Sequence, residues 1–144
     1  IRELLGFKPE SKRTNLQGAI EYLTNVLKKR CTAFVLSDFI DDSDFKNALT
    51  VANRKHDVIA MQVYDRRMEE LPDVGLMRVR DAETGHEQWI DTSSKALRNA
   101  HHAWWMERQE KLNDIFTRSN VDSVSVRTDQ DYVKALMNLF AKRN

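Results

Sequence analysis

The sequence predicts an α/β fold, in which helices flank an open and mostly parallel β-sheet. Residues 31–37 and 56–64 are apolar runs with β-branched and aromatic residues, and they have the length of strands covered on both faces. Helical patterns precede, separate and follow these runs, an alternation typical of parallel βα units. In such sheets ligands bind beyond the carboxyl ends of the strands, so the residues that follow each run are the first candidates for a site.

The composition limits the class of protein. The chain has 144 residues, of which 41% are hydrophobic, enough for a single domain (1–144) with a buried core. The formal net charge is +1 and both signs are interspersed, which disfavours nucleic-acid binding. No apolar run approaches the roughly 20 residues of a membrane span, and no signal-peptide pattern opens the sequence. The single cysteine, Cys31, excludes an internal disulfide, so we expect a cytoplasmic protein in which Cys31 is a small buried hydrophobe.

The first residues predict a helix that is already ending. Ile1, Leu4 and Leu5 have the spacing of its last turns, which predicts that the chain is the C-terminal part of a longer protein. A second helix is predicted from Thr14 to about Arg30, with Thr14 and Gln17 as a capping box. Its predicted buried face is formed by Leu16, Ala19, Ile20, Leu23, Val26 and Leu27.

An acidic cluster follows the first strand and leads into the next helix. The cluster consists of Asp38, Asp41, Asp42 and Asp44. Asp42 or Ser43 is predicted to cap this helix, because acidic residues in the first turn suit the helix dipole. Its predicted buried face is formed by Phe45, Ala48, Leu49 and Ala52.

A β-hairpin is predicted within residues 74–92. Two short alternating runs, 76–80 and 86–90, flank a loop that contains Gly85. Because this pattern interrupts the βα alternation, we interpret the hairpin as an insertion beside the main sheet.

The remaining chain predicts two helices around a short strand. A long helix over 94–118, capped by Thr92 or Ser93, precedes a strand over 121–126. The buried stripe of the long helix is predicted to contain Leu97, Ala100, Trp104, Leu112, Ile115 and Phe116. Thr128 and Asp131 form a second capping-box pattern before a final helix. That helix is predicted to bury Tyr132, Val133, Leu136, Met137 and Phe140.

Adjacent aromatic and histidine residues in the long helix have two interpretations. Trp104 and Trp105 cannot both face one core, so one of them could mark a partner surface or cover the hairpin. His101 and His102 point about 100° apart on a helix, which makes them poor joint metal ligands. Helix packing is the favoured interpretation of the two histidines.

Thr14 and Asp38 are the candidate site residues. Helices in right-handed βα units run antiparallel to the strands, so the start of one helix and the end of the next strand should lie at the same sheet edge. A hydroxyl and a carboxylate there are suitable ligands for Mg²⁺. The structural alternative is that Thr14 is an ordinary helix cap and Asp38 an ordinary turn carboxylate. Two ligands alone do not make a firm metal site.

Several separated segments resemble one protein family. They are residues 7–16, 34–42, 56–65, 70–75, 81–85, 91–93 and 125–136, in order along nearly the whole chain. These segments resemble the bacterial family called "domain of unknown function 58". That family is similar to von Willebrand factor type A domains, and its genes often lie beside those of MoxR-type AAA+ ATPases. The resemblance therefore implies a doubly wound sheet and an ATPase of this type as partner.

The resemblance also implies a specific but incomplete metal site. In the metal-ion-dependent adhesion site of type A domains, Thr14 matches the threonine of the second loop and Asp38 the aspartate of the third. The Asp-x-Ser-x-Ser motif of the first loop has no match, since residues 41–45 lack the final serine and lie in another loop. The resemblance implies that the first three strands precede Ile1. We therefore expect Mg²⁺ binding only in a longer protein and none in this chain.

Two functions follow as hypotheses. The first is a non-enzymatic protein-interaction module, assisted by a divalent metal and working with a MoxR-type ATPase in complex assembly or regulation. The alternative is a metal-dependent phosphatase or phosphotransferase with Asp38 as nucleophile. It is disfavoured because no glycine-rich phosphate loop follows the strand and no Ser–His or Cys–His pairing is evident. An open sheet edge further predicts pairing with another chain, as in a homo-oligomer.

Overall fold

The computed structural model describes residues 6–8, 13–41 and 43–143. Five helices are defined in these ranges: α1 (Leu16–Val26), α2 (Lys46–Lys55), α3 (Arg66–Glu69), α4 (Lys95–Arg118) and α5 (Tyr132–Arg143). Five strands are defined there as well: β1 (Thr32–Ser37), β2 (Asp57–Tyr64), β3 (Leu76–Arg80), β4 (Glu87–Asp91) and β5 (Asp122–Arg127). The predicted α/β class is confirmed.

The main sheet is parallel and has the strand order β1-β2-β5. Thr32 lies opposite Asp57 and Ser37 opposite Gln62, while Ile59 lies opposite Asp122. Since all three strands run in one direction, their carboxyl ends share one edge of the sheet. The central strand is β2, whose Val58, Ile59 and Ala60 are almost completely buried as the apolar run predicted.

Among the described residues β1 is an edge strand, and they do not cover it on both faces as predicted. Ala33 is buried, but Phe34 and Leu36 remain 45% and 62% exposed. These two side chains point to the face opposite Ala33, because successive side chains in a strand alternate. An apolar run of this length therefore did not distinguish an edge strand from a central one.

The core lies on one face of the sheet, under α1, α2 and α4. Its buried members are Leu16, Ile20, Phe39, Phe45, Ala48, Leu49, Ala52, Val58, Ala60, Leu112, Phe116 and Val121. The predicted inner face of α2 is confirmed by this set. In α1 only Leu16 and Ile20 are buried, and the helix ends at Val26 instead of near Arg30.

The opposite face of the sheet is covered by α5, which packs on β5. Leu139 is buried there, whereas the predicted inner face of this helix is largely exposed. The exposed members of that predicted face are Tyr132, Val133, Met137 and Phe140, at 44–67%. The prediction was wrong because α5 meets the sheet along a different stripe. On its neighbouring stripe Phe140 packs edge-to-face against Phe34 of β1, with the ring centroids 6.4 Å apart, and both rings stay partly exposed.

The tryptophan pair of α4 divides between core and surface. Trp105 is 3% exposed, and its ring lies 5.1 Å from that of Tyr64, whereas Trp104 is 45% exposed. The prediction that the two cannot share a core is confirmed, but the placement of Trp104 in the buried stripe was wrong, as was that of Ala100. Counting from Trp105, Leu112 and Phe116 recur after seven and eleven residues and share its face of the helix.

The predicted caps of α1 and α4 were each misplaced by one or two residues. Asn15 caps α1 and accepts a hydrogen bond from the Gly18 amide at 2.8 Å, so Thr14 is not the cap. Ser94 caps α4 and accepts from the Leu97 amide at 3.3 Å. In both cases a neighbouring residue that also favours the cap position, Asn15 or Ser94, accepts a hydrogen bond from an amide of the first turn.

The other two predicted caps also differ. Helix α2 begins after Phe45 without a side-chain cap, so Ser43 does not fill that role. Asp131 accepts from the Val133 amide at 2.9 Å, while the Thr128 amide donates to the Tyr64 carbonyl. The alternative cap Asp42 and the predicted N-terminal helix of Ile1, Leu4 and Leu5 lie outside the described residues.

The β3–β4 hairpin forms its own two-stranded antiparallel sheet, as predicted. Thr92 fastens its base: the buried hydroxyl donates to the Gly75 carbonyl at 2.7 Å and accepts from the Val74 amide at 3.2 Å. Gly75 has φ +75°, a conformation that glycine adopts readily. In the described ranges, none of the helices is both long and apolar enough to cross a membrane.

Candidate functional site

A cleft of about 560 Å³ lies at the carboxyl edge of the main sheet, between the body of the domain and the hairpin loop. Its described lining consists of Arg13, Thr14, Asp38, Ile40, Asp41, Met68, Asp81, Ala82 and Glu83. The structure thus brings Thr14 and Asp38, the two candidate residues, to one cleft. Four carboxylates line it together with the guanidinium of Arg13, so its lining is acidic.

Thr14 is bonded to the hairpin loop. Its hydroxyl donates to Glu83 Oε1 at 2.5 Å, and its amide donates to the same oxygen at 2.9 Å. Glu83 was not among the predicted site residues. A contact between residues 69 positions apart leaves no local pattern, and the only signal was the acidic composition of the hairpin loop.

Asp38 is exposed at the tip of β1, in a turn that is held rigidly. Asp38 Oδ1 accepts from the Ile40 amide at 3.0 Å. Phe39, the next residue, has φ +56°, which is unfavourable for a bulky side chain. Its buried ring lies 5.1 Å from that of Phe116, and this core contact holds the turn in place. The carboxylate therefore projects from a fixed backbone into the cleft.

Asp41 ties this turn to the start of α1. Its carboxylate accepts from the Leu16 amide at 2.6 Å and from the Ser43 amide at 2.8 Å. Partial burial raises the pKa of Asp41, but the two amide hydrogen bonds and the charge of Arg108 outweigh this and lower the pKa below its ordinary value. Asp41 is therefore ionised at neutral pH and joins two walls of the cleft.

Arg108 is a charged residue within the apolar stripe of α4, and its contacts explain why it lies there. The half-buried guanidinium donates to the Phe39 carbonyl at 3.3 Å, which supports the turn that contains Asp38. It also lies 5.9 Å from the ring centroid of Trp104, within the range of a cation–π interaction. Trp104 thus lies at the surface, outside the core, because its ring packs against Arg108.

The hairpin loop is a fixed turn that projects Glu83 toward α1. Asp81 Oδ1 accepts from the Thr84 amide at 2.6 Å, from the Thr84 hydroxyl at 2.8 Å and from the Glu83 amide at 3.0 Å. The hydrogen bonds from Thr84 are the main cause that lowers the pKa of Asp81. Gly85 closes the turn with φ +72°, as the glycine in this loop predicted.

Helix α3 forms a further wall of the cleft, to which Met68 contributes. Asp65 caps this short helix by accepting from the Arg67 amide at 2.8 Å. His101 Nε2 lies 2.9 Å from the Met68 carbonyl, and His102 Nδ1 lies 3.3 Å from the Glu69 carbonyl. The two histidines therefore join α4 to the end of α3, in agreement with a packing role.

The side-chain oxygen atoms that line the cleft do not form a coordination set suited to Mg²⁺. The Thr14 hydroxyl is bonded to Glu83, and the Asp38 carboxylate accepts one described hydrogen bond, from the Ile40 amide. Within the described part of the chain, no group of three or more His, Cys, Asp or Glu side chains could hold a metal ion. Because Mg²⁺ requires near-octahedral coordination by oxygen, these residues alone do not fit it.

A thiol–imidazole contact lies at the opposite, amino-terminal edge of the sheet. Cys31 Sγ is 3.5 Å from His56 Nδ1, a contact that the sequence did not make evident. Cys31 is half-buried and contacts an imidazole, so the prediction that it is a buried hydrophobe was wrong. His56 Nε2 is buried and has no partner among the described residues, so the ring lacks the third group that orients a catalytic base.

Uncharacterized proteins of mycobacteria are similar to this chain. It is 30% identical over 137 residues to one from Mycobacterium tuberculosis and one from Mycobacterium bovis, covering 94% of this chain and 42% of each relative. It is 27% identical over 135 residues to one from Mycobacterium avium, covering 94% of this chain and 79% of that protein. The chain thus spans less than half the length of the first two relatives.

No solved structure matches the chain at a significant level. The similarity to von Willebrand factor type A domains therefore stays a prediction. The family resemblance itself is confirmed by a family model that matches residues 1–111. The chain belongs to the family described as "Protein of unknown function DUF58".

Proposed function

We propose that this chain is a non-enzymatic protein-interaction module that docks a partner at the carboxyl-edge cleft. The observation that supports this function is the construction of the cleft from four separate segments around exposed polar side chains. These segments are the turn after β1, the residues before α1, the helix α3 and the hairpin loop. Among the described residues that line it, none pairs a nucleophile with a base. Such a surface is suited to recognition.

The proposed partner is a MoxR-type AAA+ ATPase, and the proposed role is complex assembly or regulation. The family resemblance supports this partner. The four carboxylates of the cleft favour a partner segment with basic side chains, because complementary charge selects partners and speeds encounter.

A binding assay with matched variants tests this function. We expect Asp38→Asn to weaken binding of the purified ATPase about tenfold, a typical loss for one well-placed polar contact. Asp114→Asn is the control, since Asp114 lies on α4 in an exposed ion pair with Arg118. Equal affinities of wild type and Asp38→Asn would refute docking at Asp38.

The role of Mg²⁺ is proposed for a longer protein only. The Thr14 hydroxyl is bonded to Glu83, and among the described residues no three acidic side chains are placed to hold a metal ion, so we expect no saturable Mg²⁺ binding by this chain in a calorimetric titration. Saturable binding that disappears in Asp38→Ala would contradict this expectation and establish a metal site at Asp38.

A second candidate function is a metal-dependent phosphatase or phosphotransferase that uses Asp38. The exposed position of Asp38 after a parallel strand favours it. The acidic lining opposes it, because neighbouring carboxylates repel a phosphate ester. Metal-dependent hydrolysis of p-nitrophenyl phosphate that is lost in Asp38→Asn would favour the enzyme over the docking module.

A further inference from the structure

The β3–β4 hairpin is fastened to the domain at its two ends. At the base, Arg98 of α4 donates to the Thr92 carbonyl at 2.5 Å and forms an ion pair with Asp73 at 3.0 Å. At the tip, Glu83 accepts both hydrogen bonds from Thr14. The hairpin is therefore attached at both ends, and its tip borders the cleft.

Between these ends the hairpin is loosely held. It shares no strand pairing with the three-stranded sheet, and Leu76 and Trp89 are 67% and 64% exposed. An isolated two-stranded hairpin is only marginally stable in water. The position of the hairpin over the cleft thus depends mainly on its ends.

The two ends differ in strength. Thr92 at the base is fully buried, and its hydrogen bonds are shielded from water. Thr14 and Glu83 at the tip are both exposed, where water competes for the donors. Asp81 and Glu83 on the loop face a wall that contains Asp38 and Asp41, so like charges weaken the closed position further. The tip should therefore open before the base.

We propose that the hairpin is a lid over the cleft and that the contact between Glu83 and Thr14 is its latch. In the closed state Glu83 occupies the hydroxyl and the amide of Thr14, so a partner that reaches Thr14 must displace it. The base at Thr92 is the hinge. Regulation of partner binding by this latch rests on the docking function proposed above. The opening of the lid, in contrast, can be measured without any partner.

A labelling experiment tests the lid. Cys31→Ser removes the native thiol, and Met68→Cys places a single thiol in the half-buried wall of the cleft. With the latch removed by Glu83→Ala, we expect a maleimide to label this thiol about threefold faster or more, as the loss of one exposed hydrogen-bonded contact implies. Glu87→Ala is the control, because Glu87 lies on the same hairpin and forms an ion pair with Arg78 instead of a hydrogen bond with Thr14.

Amide exchange at Thr14 measures the latch directly. We expect the Thr14 amide to exchange about threefold faster or more in Glu83→Ala than in wild type and Glu87→Ala. Unchanged exchange of the buried Ile59 amide would show that the variant is folded. Equal labelling and equal Thr14 exchange in all variants would overturn the lid. Normal opening together with partner binding that is insensitive to Asp38→Asn would leave the lid established and refute the docking function.

Discussion

Asp41 is the side chain that connects the turn after β1 to α1. It was noticed in the sequence only as part of an acidic cluster, since its partner Leu16 lies 25 residues away. Sequence patterns identify a carboxylate at a strand end, but they do not identify which distant amide it binds. The same reason explains why Thr14 was interpreted as a cap while its hydroxyl binds Glu83.

Asp41→Ala should destabilise the domain. The substitution leaves the amide of the buried Leu16 without its partner, and we expect a loss of about 1–2 kcal/mol, reduced by the partial exposure of the carboxylate. Urea unfolding measures this loss. Asp38→Ala is the comparison, because it removes one hydrogen bond in an exposed turn and should cost less. A larger cost for Asp38→Ala would contradict the structural role of Asp41.

The contribution of Asp41 should depend on pH in one direction. Its folded-state pKa lies below the ordinary value of 3.8, so the folded state favours the ionised carboxylate. The stabilisation is complete above the unfolded pKa and disappears as the pH falls through the folded pKa. We therefore expect the difference in unfolding free energy between wild type and Asp41→Asn to shrink below about pH 4. A difference that grows on acidification would contradict the direction of the shift.

Helix α4 shows what local periodicity can predict at the scale of an element. Its length and the exclusion of one tryptophan from the core followed from the sequence, but which tryptophan is buried did not. Trp104 and Trp105 differ by one position on the helix, and only the contact of Trp105 with Tyr64 decides between them. The exposed Trp104 instead lies beside Arg108.

Alanine substitutions at the two tryptophans should differ strongly. Trp105→Ala removes a buried aromatic side chain and should cost about 3–5 kcal/mol of unfolding free energy. Trp104→Ala should cost about 1 kcal/mol or less, because the ring is half exposed. Chemical unfolding of both variants measures the difference, and equal losses would contradict the assigned orientation of α4.

At the scale of the whole molecule, the sequence predicted the parallel sheet and the hairpin beside it. It did not predict that the sheet is covered unequally. One face lies under three helices, whereas α5 on the other face leaves Phe34 and Leu36 of β1 largely exposed. An apolar run predicts that a strand is covered, but it does not predict which element covers each face.

Self-association through the exposed edge of β1 stays a prediction. Its outer backbone groups have no strand partner among the described residues, and exposed apolar side chains lie beside them. We expect light scattering to show dimers or larger species at high concentration, and Leu36→Lys to reduce them. Val51→Lys, at an exposed apolar position on α2, is the control. A monomer at every concentration would contradict self-association.

Docking at the carboxyl-edge cleft is tested most directly by hydrogen–deuterium exchange of this protein with and without the proposed partner, a MoxR-type ATPase. If the partner docks there, binding slows exchange in the turn over 38–41 and at the start of α1, and changes it in the hairpin loop over 81–85. Protection confined to β1 and α5, with the cleft segments unchanged, would contradict it.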